Sequence, residues 1–458
     1  MKKPKIGLLP LYIALYDKAA PEMRPAVEGF AREVAGLFEK QGLDVIAAPV
    51  CAVEPEFKAA VASFEEGGAD AIVTLHLAYS PSLESAAVLA ATKLPILILN
   101  TTPTLSFVPT IEAGDGISYN HGIHGVQDMA NLLIRNGKRF RIFTDHYIYS
   151  NVIERVANAA KAAAAAHALR GTKVGMIGEP FAGMGDFDCG AEGYEALGIE
   201  TVSCKGLRPD LVSDSDIATE YELDKSRAEI RCSYEEYAKT ERVGLAVRRW
   251  LEDEGIGGFT MNFLSAGTLP GFDTMPFTEA SKAMARGIGY AGEGDMLTAA
   301  LCAALLRSFK HTTFMEMFCP DWAGNHIFFS HMGELNLNVM ERRHIVMRSF
   351  KYADCFEPTT MYGIFRQGRA TVVNLAPIGP GKFRLILASG RMIDLPDNIG
   401  GFENTIAGWF RPNIGVNKLL EQYSIAGGTH HSALVYGASA EELSVFADEL
   451  GIESVVIC

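Results

Sequence analysis

Between Lys5 and about Arg170 the chain alternates short apolar runs with longer amphipathic ones. Residues 6–11, 45–48, 71–75, 96–99 and 140–143 have the length and side chains of strands. Residues 21–40, 54–66, 83–92 and 125–135 repeat apolar positions at helical spacing. Strands alternating with helices predict a parallel sheet covered on both faces. A long helix from about Asn151 should stop at Gly171, a C′ glycine, and the first domain boundary is placed there. The alternation resumes with strands at 173–178, 199–204 and 257–263, the last two separated by a charged helical stretch over 213–254. Beyond Phe309 the texture turns to β-formers between Gly, Pro and Asp turns, at 344–350, 361–365, 370–375 and 383–389. A hairpin-like cluster lies at 377–381 and a closing helix at 440–449. The expected class is α/β: two Rossmann-like parallel-sheet domains (1–170 and 171–309), then a C-terminal β-rich domain (310–458) built as a small barrel or sandwich.

Size and composition agree. A chain of 458 residues exceeds the ~250–300 at which one core stops growing. With 48% hydrophobic and 21% charged residues it reads as an ordinary soluble protein, without the ~20 uninterrupted apolar residues of a membrane span. The apolar stretch after Met1-Lys2-Lys3 is too short for a signal sequence, so a cytoplasmic setting is expected. Eight dispersed cysteines with no Cys-x-x-Cys pair read as reduced, mostly buried thiols. A net charge of −14 opposes phosphate backbones, so nucleic acid is not an expected partner. Gly175, Gly178, Gly183 and Gly185 do not keep the spacing of a dinucleotide loop.

The chemistry centres on Gly289-Tyr290-Ala291-Gly292-Glu293-Gly294-Asp295, which looks like a helix start because Met296 to Phe309 follows with apolar residues at helical spacing. Its two acids either cap that helix or do chemistry. Downstream come Glu316 within Phe314-Met315-Glu316, His331 within Ser330-His331-Met332, and His431 in the turn Gly427-Gly428-Thr429-His430-His431. Two carboxylates and two imidazoles form a mixed oxygen and nitrogen set suited to manganese or a similar ion. Taken singly, each histidine reads as a hydrogen-bonded core group more readily than as a ligand.

These motifs, in this order, resemble the L-arabinose isomerase family. The resemblance also takes in Gly324-Asn325, His331-Met332 with Glu334, Leu75-His76, Ser80-Pro81 and Asn120-His121-Gly122-Ile123-His124-Gly125, so it covers nearly the whole chain. It implies a metal-dependent aldose–ketose isomerase, an intramolecular oxidoreductase working through an enediol on a small sugar. By that match Glu293, Glu316, His331 and His431 are the metal ligands, most simply of Mn(2+), and Glu293 and Glu316 the catalytic acid/base pair. Asp295 and Glu334 would orient the imidazoles. Of the neighbours His430 and His431 only one should coordinate, because successive residues of an extended segment face opposite ways. The resemblance also implies a homo-oligomer in which His124 reaches a site shared with a neighbouring subunit, although a local helix-start role fits it as well. Tyr79, Phe181 and Phe263 match substrate-pocket aromatics or are simply core.

The sugar end departs from the family. The usual first-strand polar segment appears as Leu11-Tyr12-Ile13-Ala14-Leu15-Tyr16, Met-Glu-Asp-Tyr as Met315-Glu316-Met317-Phe318, and the Trp-Lys after the glycine–acid motif as Met296-Leu297. An unpaired hydroxyl in an apolar pocket costs on the order of 1–3 kcal/mol, so a sugar other than L-arabinose is expected. A non-catalytic protein that kept fold, metal and sugar binding is the alternative, and a metal-dependent hydrolase or epimerase a third.

Overall fold

The computed structural model describes residues 3–108 and 115–458; Met1 and Lys2, at the head of the stretch read against a signal sequence, lie outside them. The chain divides into two compact units, Met1–His167 and Ala168–Cys458. In the first, β1 (Lys5–Leu11), β2 (Asp44–Ala47), β3 (Ala71–His76), β4 (Ile96–Asn100) and β5 (Phe140–Thr144) form a parallel sheet in the order β2-β1-β3-β4-β5. The strand β3 is buried along its whole length, as expected where helices cover both faces. The helix Val152–Leu169 closes this segment, and Gly171 beyond it takes φ 83°.

The second unit opens with β6 (Lys173–Ile177) and β7 (Glu200–Cys204). The charged stretch expected as one helical run is two helices, Asp214–Lys225 and Tyr234–Asp253, around the short β8 (Glu229–Ile230). The break is local: Ser233 starts the second helix with a capping box, accepting from Glu236 N–H while the Glu236 carboxylate takes its own N–H. β9 (Gly258–Met261) and β10 (Gly289–Gly292) complete a second parallel sheet, ordered β10-β9-β6-β7. The Gly289–Gly292 segment, read as part of a helix start, is therefore a strand; the helix begins at Met296 and runs to Leu306.

That helix is apolar all round, and Leu297 to Leu306 are all buried, so it is the spine between the second sheet and the barrel behind it. Its close approach needs glycine. A Cβ on Gly289 would lie 2.3 Å from the Ala299 carbonyl oxygen.

The remaining strands are β11 (Thr312–Asp321), β12 (His326–Ser330), β13 (Met340–Met347), β14 (Thr359–Phe365), β15 (Gly368–Gly379), β16 (Lys382–Met392), β17 (Gly408–Pro412), β18 (His431–Tyr436) and β19 (Glu453–Ile457). Six of them close an antiparallel barrel, β15-β18-β11-β12-β17-β16 and back to β15, with β19 added in parallel to β16. The fold is thus two parallel α/β sheets followed by a C-terminal barrel. The strands read at 344–350 and 361–365 are not barrel strands: β13 and β14 form a separate small sheet in which β13 pairs with β8. The closing segment is two short helices, Ala440–Leu443 and Val445–Leu450. All eight cysteines are free thiols, but only Cys51, Cys204 and Cys302 are buried, while Cys319 and Cys458 are exposed, which corrects the expectation of mostly buried thiols. No helix among the described residues is long and apolar enough to cross a membrane.

Candidate active site

Strand register sets the first pair. β11 lies between β12 and β18, and Glu316 is directly opposite His431 on one side and Ser330 on the other. Directly opposed residues share a sheet face, so Glu316 and His431 project together, and His331 follows at the end of β12. Donor atoms of Glu316, His331 and His431 lie within 4.8 Å of one another. The second sheet contributes Glu293 from the turn after β10: its Oε2 lies 3.4 Å from His431 Nε2 and 3.7 Å from His430 Nε2.

Glu293 is not a cap. It takes the left-handed φ of 62°, a conformation costing a non-glycine residue roughly 1–2 kcal/mol, held by its N–H donating to Met261 O and its carbonyl accepting from Phe181 N–H. Asp295 is the cap, one oxygen accepting from Thr298 N–H at 2.8 Å while the other faces His431 Nδ1 at 3.0 Å. The two acids of the motif thus divide the roles that the sequence left open between them.

Both buried imidazoles are oriented by carboxylates. His331 Nδ1 is 2.8 Å from Glu334 Oε2, which also accepts from Gly333 N–H, and Tyr290 O–H donates to the other Glu334 oxygen at 2.6 Å. An ionised carboxylate only accepts, so each Nδ1 carries the proton and each Nε2 turns inward. Phe314 meets both rings edge-on, at centroid distances of 4.7 and 5.0 Å, and Phe187 stacks on His431 at 5.5 Å. There is no spare room: a Cβ on Gly292 would sit 2.6 Å from His331 Cε1. His431 Nε2 is fully buried and has no hydrogen-bond partner; its approach to Glu293 lacks hydrogen-bond geometry.

Electrostatics follow from this crowding. Burial alone would raise the Glu293 carboxyl, but His430 and His431 beside it hold it far below the usual carboxylate range. Burial would lower His431, yet Asp295 and Glu293 bring it up to about 8. His430 also works against burial and is brought up to about 10 by Asp186 and Glu293.

The expectation that His430 turns away from its neighbour does not hold. β18 begins only at His431, so His430 lies in the preceding bend, where strand alternation does not apply; its ring centroid is 4.1 Å from that of His431 and both Nε2 atoms face Glu293. Asp186, missed in the sequence, holds it: Oδ2 accepts the His430 backbone N–H at 2.9 Å and lies 2.7 Å from Nδ1. The two residues are 244 positions apart, and no periodicity or motif links them. Tyr290 was likewise read only as part of the glycine-rich stretch, and its burial against Glu334 has no local signal.

Phe181 and Phe263 pack against each other in the second unit, centroids 5.6 Å apart. Tyr79 and His124 belong to the first unit. Tyr79 donates to Asp128 at 3.1 Å, and His124 is exposed in the first turn of the helix Ile123–Arg135, 5.7 Å from the His121 ring.

Comparison with known proteins agrees with this architecture. Residues 210–310 match the L-arabinose isomerase central domain and residues 311–453 the L-arabinose isomerase C-terminal domain, together more than half of the chain. L-arabinose isomerase of Bacillus subtilis is 26% identical over 361 residues, covering 75% of this chain and 72% of that protein; that of a Nocardioides species is 26% identical over 408 residues, covering 83% and 78%. L-arabinose isomerase 1 of Bacillus licheniformis is 29% identical over 248 residues, 53% of this chain, and the match spans about half (49%) of that relative. With barrel, central sheet and both domain models in agreement, the chain belongs to the L-arabinose isomerase family of aldose–ketose isomerases.

Proposed function

We propose that the chain is a metal-dependent isomerase that interconverts a small aldose and its ketose through an enediol, with Mn(2+) as its metal. The observation that carries this reading is His431 Nε2, buried, without a hydrogen-bond partner, and facing the carboxylates and the imidazole of Glu293, Glu316 and His331. Leaving such an atom bare costs on the order of 1–3 kcal/mol, a cost that coordination of a cation offsets, so the residues fit the metal. Glu293, Glu316, His331 and His431 would hold it. Their oxygen and nitrogen donors without thiolate suit manganese. Bound there, the ion would supply Lewis-acid polarisation of the sugar oxygens.

The chain's own residues carry the protons. One of Glu293 and Glu316 takes the proton from C2 and returns it to C1, and the other serves the hydroxyl proton, so the sugar leaves with atoms and charge balanced. Strand register and the strained turn hold both carboxylates in place, which reduces the cost of orienting them. Phe181 and Phe263 line the sugar pocket in this reading, and His124 completes the site from a neighbouring subunit of a cytoplasmic homo-oligomer. The functional parts remain 1–170, 171–309 and 310–458. The apolar Met296-Leu297 and Met317-Phe318 replace polar hydroxyl readers, so the preferred sugar differs from L-arabinose.

The test is an aldose panel in deuterated water with manganese, followed by NMR for ketose formation and exchange at C2. One sugar other than L-arabinose should give the highest kcat/KM, and Glu316→Gln should abolish both exchange and metal binding. Sugar and metal binding with no C2 exchange on any aldose would replace this reading with a non-catalytic binding protein.

A further inference from the structure

In the second unit, apart from the metal ligands, the helix Phe277–Arg286 carries a buried ion cluster that no step of the isomerisation uses. Lys282, only 2% exposed, has its Nζ 2.5 Å from Asp224 Oδ2, 3.0 Å from Glu220 Oε1 and 3.1 Å from Glu241 Oε1. Glu220 and Asp224 stand on the helix Asp214–Lys225 and Glu241 on Tyr234–Asp253. The three N–H donors of one ammonium are thus matched by three carboxylates from two helices. Tyr237 O–H donates to Asp224 at 2.8 Å, and Arg248 bridges Glu220 at 3.0 Å to Glu279 at 2.7 Å, on the same helix as Lys282. Taking so many charges out of water gives little stability, and packed apolar residues commonly do as well. What apolar packing lacks is direction. It lets a helix slide or turn, whereas three ion pairs fix Nζ, and the helix with it, at one point.

The same helix bears on the loop that holds His331. A Cβ on Gly333 would lie 3.1 Å from Phe277 Cβ, so the loop rests directly on the helix. Ser281, next to Lys282, accepts the Leu335 N–H on its Oγ at 3.0 Å, and Leu335 is fully buried, so that N–H has no water to turn to. Between Gly333 and Leu335 sits Glu334, whose carboxylate is 2.8 Å from His331 Nδ1. Thr278, one turn before Lys282, accepts the Met361 N–H at 2.9 Å and ties β14 to the helix as well.

Resting on the metal reading above, we propose that Lys282 is a positioning residue for His331: the ion cluster fixes the helix Phe277–Arg286, Ser281 on that helix fixes Leu335, and Glu334 is thereby held where its carboxylate orients the imidazole. The cluster sets the geometry of the site through backbone it holds in place, without touching metal or sugar.

The test is the manganese Kd of the full chain, by titration calorimetry with manganese(II) chloride, beside a urea midpoint for each variant. Lys282→Met should raise Kd about 5–10-fold, and so should Ser281→Ala, which removes the acceptor of the Leu335 N–H and leaves the ions alone. Val34→Ala, in the core of the first unit, should lower the midpoint and leave Kd within about twofold, which separates positioning from loss of stability. Pulsed electron paramagnetic resonance of manganese-loaded Lys282→Met should show one imidazole nitrogen coupling shifted from its wild-type value. A Kd within about twofold of wild type in Lys282→Met or in Ser281→Ala, or unchanged couplings, overturns the proposal. Should Lys282→Met fail to fold, Glu241→Gln, which removes one charge of the cluster, takes its place under the same limits. If Glu316→Gln still abolishes binding when those variants bind normally, the metal reading stands without Lys282. A wild type that binds no manganese overturns both.

Discussion

Replacing Gly292 by alanine tests how tightly the site holds His331. The added Cβ would lie 2.6 Å from Cε1 and 3.0 Å from Nε2 of that ring, where ordinary contact begins at 3.4 Å. The ring must back away by about 0.8 Å to restore van der Waals separation. It has nowhere to go, because Glu334 holds Nδ1 at 2.8 Å, Tyr290 holds Glu334, and Phe314 stands edge-on at 4.7 Å. Gly292 itself lies outside the left-handed region, so alanine adds no backbone strain of its own. Overpacking of this kind costs about 1–3 kcal/mol of stability. A donor displaced by nearly 1 Å should lose about 10–100-fold in metal affinity and about 100-fold in turnover. Manganese titration calorimetry, sugar turnover and a urea denaturation curve on the same preparation read all three. A variant that loses stability yet binds manganese within twofold of wild type, with unchanged kcat, would refute the placement of His331 at the metal.

Tyr290→Phe removes one donor from buried Glu334 and loosens His331, so manganese should bind several-fold more weakly while Glu316 and His431 keep their register; an unchanged Kd would show that Tyr290 only packs. Away from the site, burial would raise Glu220, but Arg248 and Lys282 hold it down at about 2, so its contribution is complete above the ordinary 4.5 and is lost as pH falls towards 2. This is worth about 3 kcal/mol at most, and Glu220→Gln should flatten the fall in urea midpoint between roughly pH 5 and roughly pH 3; parallel curves for the two proteins would contradict it. Glu241, pushed up to about 7 by burial against the pull of Lys282, acts in the opposite sense, its contribution fading as pH rises towards 7. Finally, mixing inactive His124→Ala with inactive Glu316→Gln should restore activity after subunit exchange if the site is shared between subunits, and no recovery despite demonstrated exchange would confine His124 to its own subunit or outside catalysis.

The local pattern carried most of the first unit. The five strands of its sheet and the helices at 23–40, 54–66 and 123–135 lie where apolar periodicity put them, because strands buried between helices and helices with one buried stripe leave their marks within a few residues. The residue types of the candidate site were legible too, and so were the apolar run of the spine helix and the hairpin at 377–381. The partnership among those residues was not. That Glu316 faces His431 depends on the pairing of β11 with β18, and a shift of one residue would turn either side chain to the other face. The division of labour between Glu293 and Asp295 came from a left-handed turn that neighbouring strands and loops impose. The same holds for β13 and β14, whose β-forming residues suit a barrel equally well but pair instead with each other, β13 also taking β8 on its far side. Asp186 meets His430 only once a loop after β6 and the bend before β18 are brought together. Periodicity reports the environment of each residue averaged over its own helix or strand; which element supplies that environment is decided by register, barrel closure and burial across hundreds of positions, and only the tertiary structure holds that information.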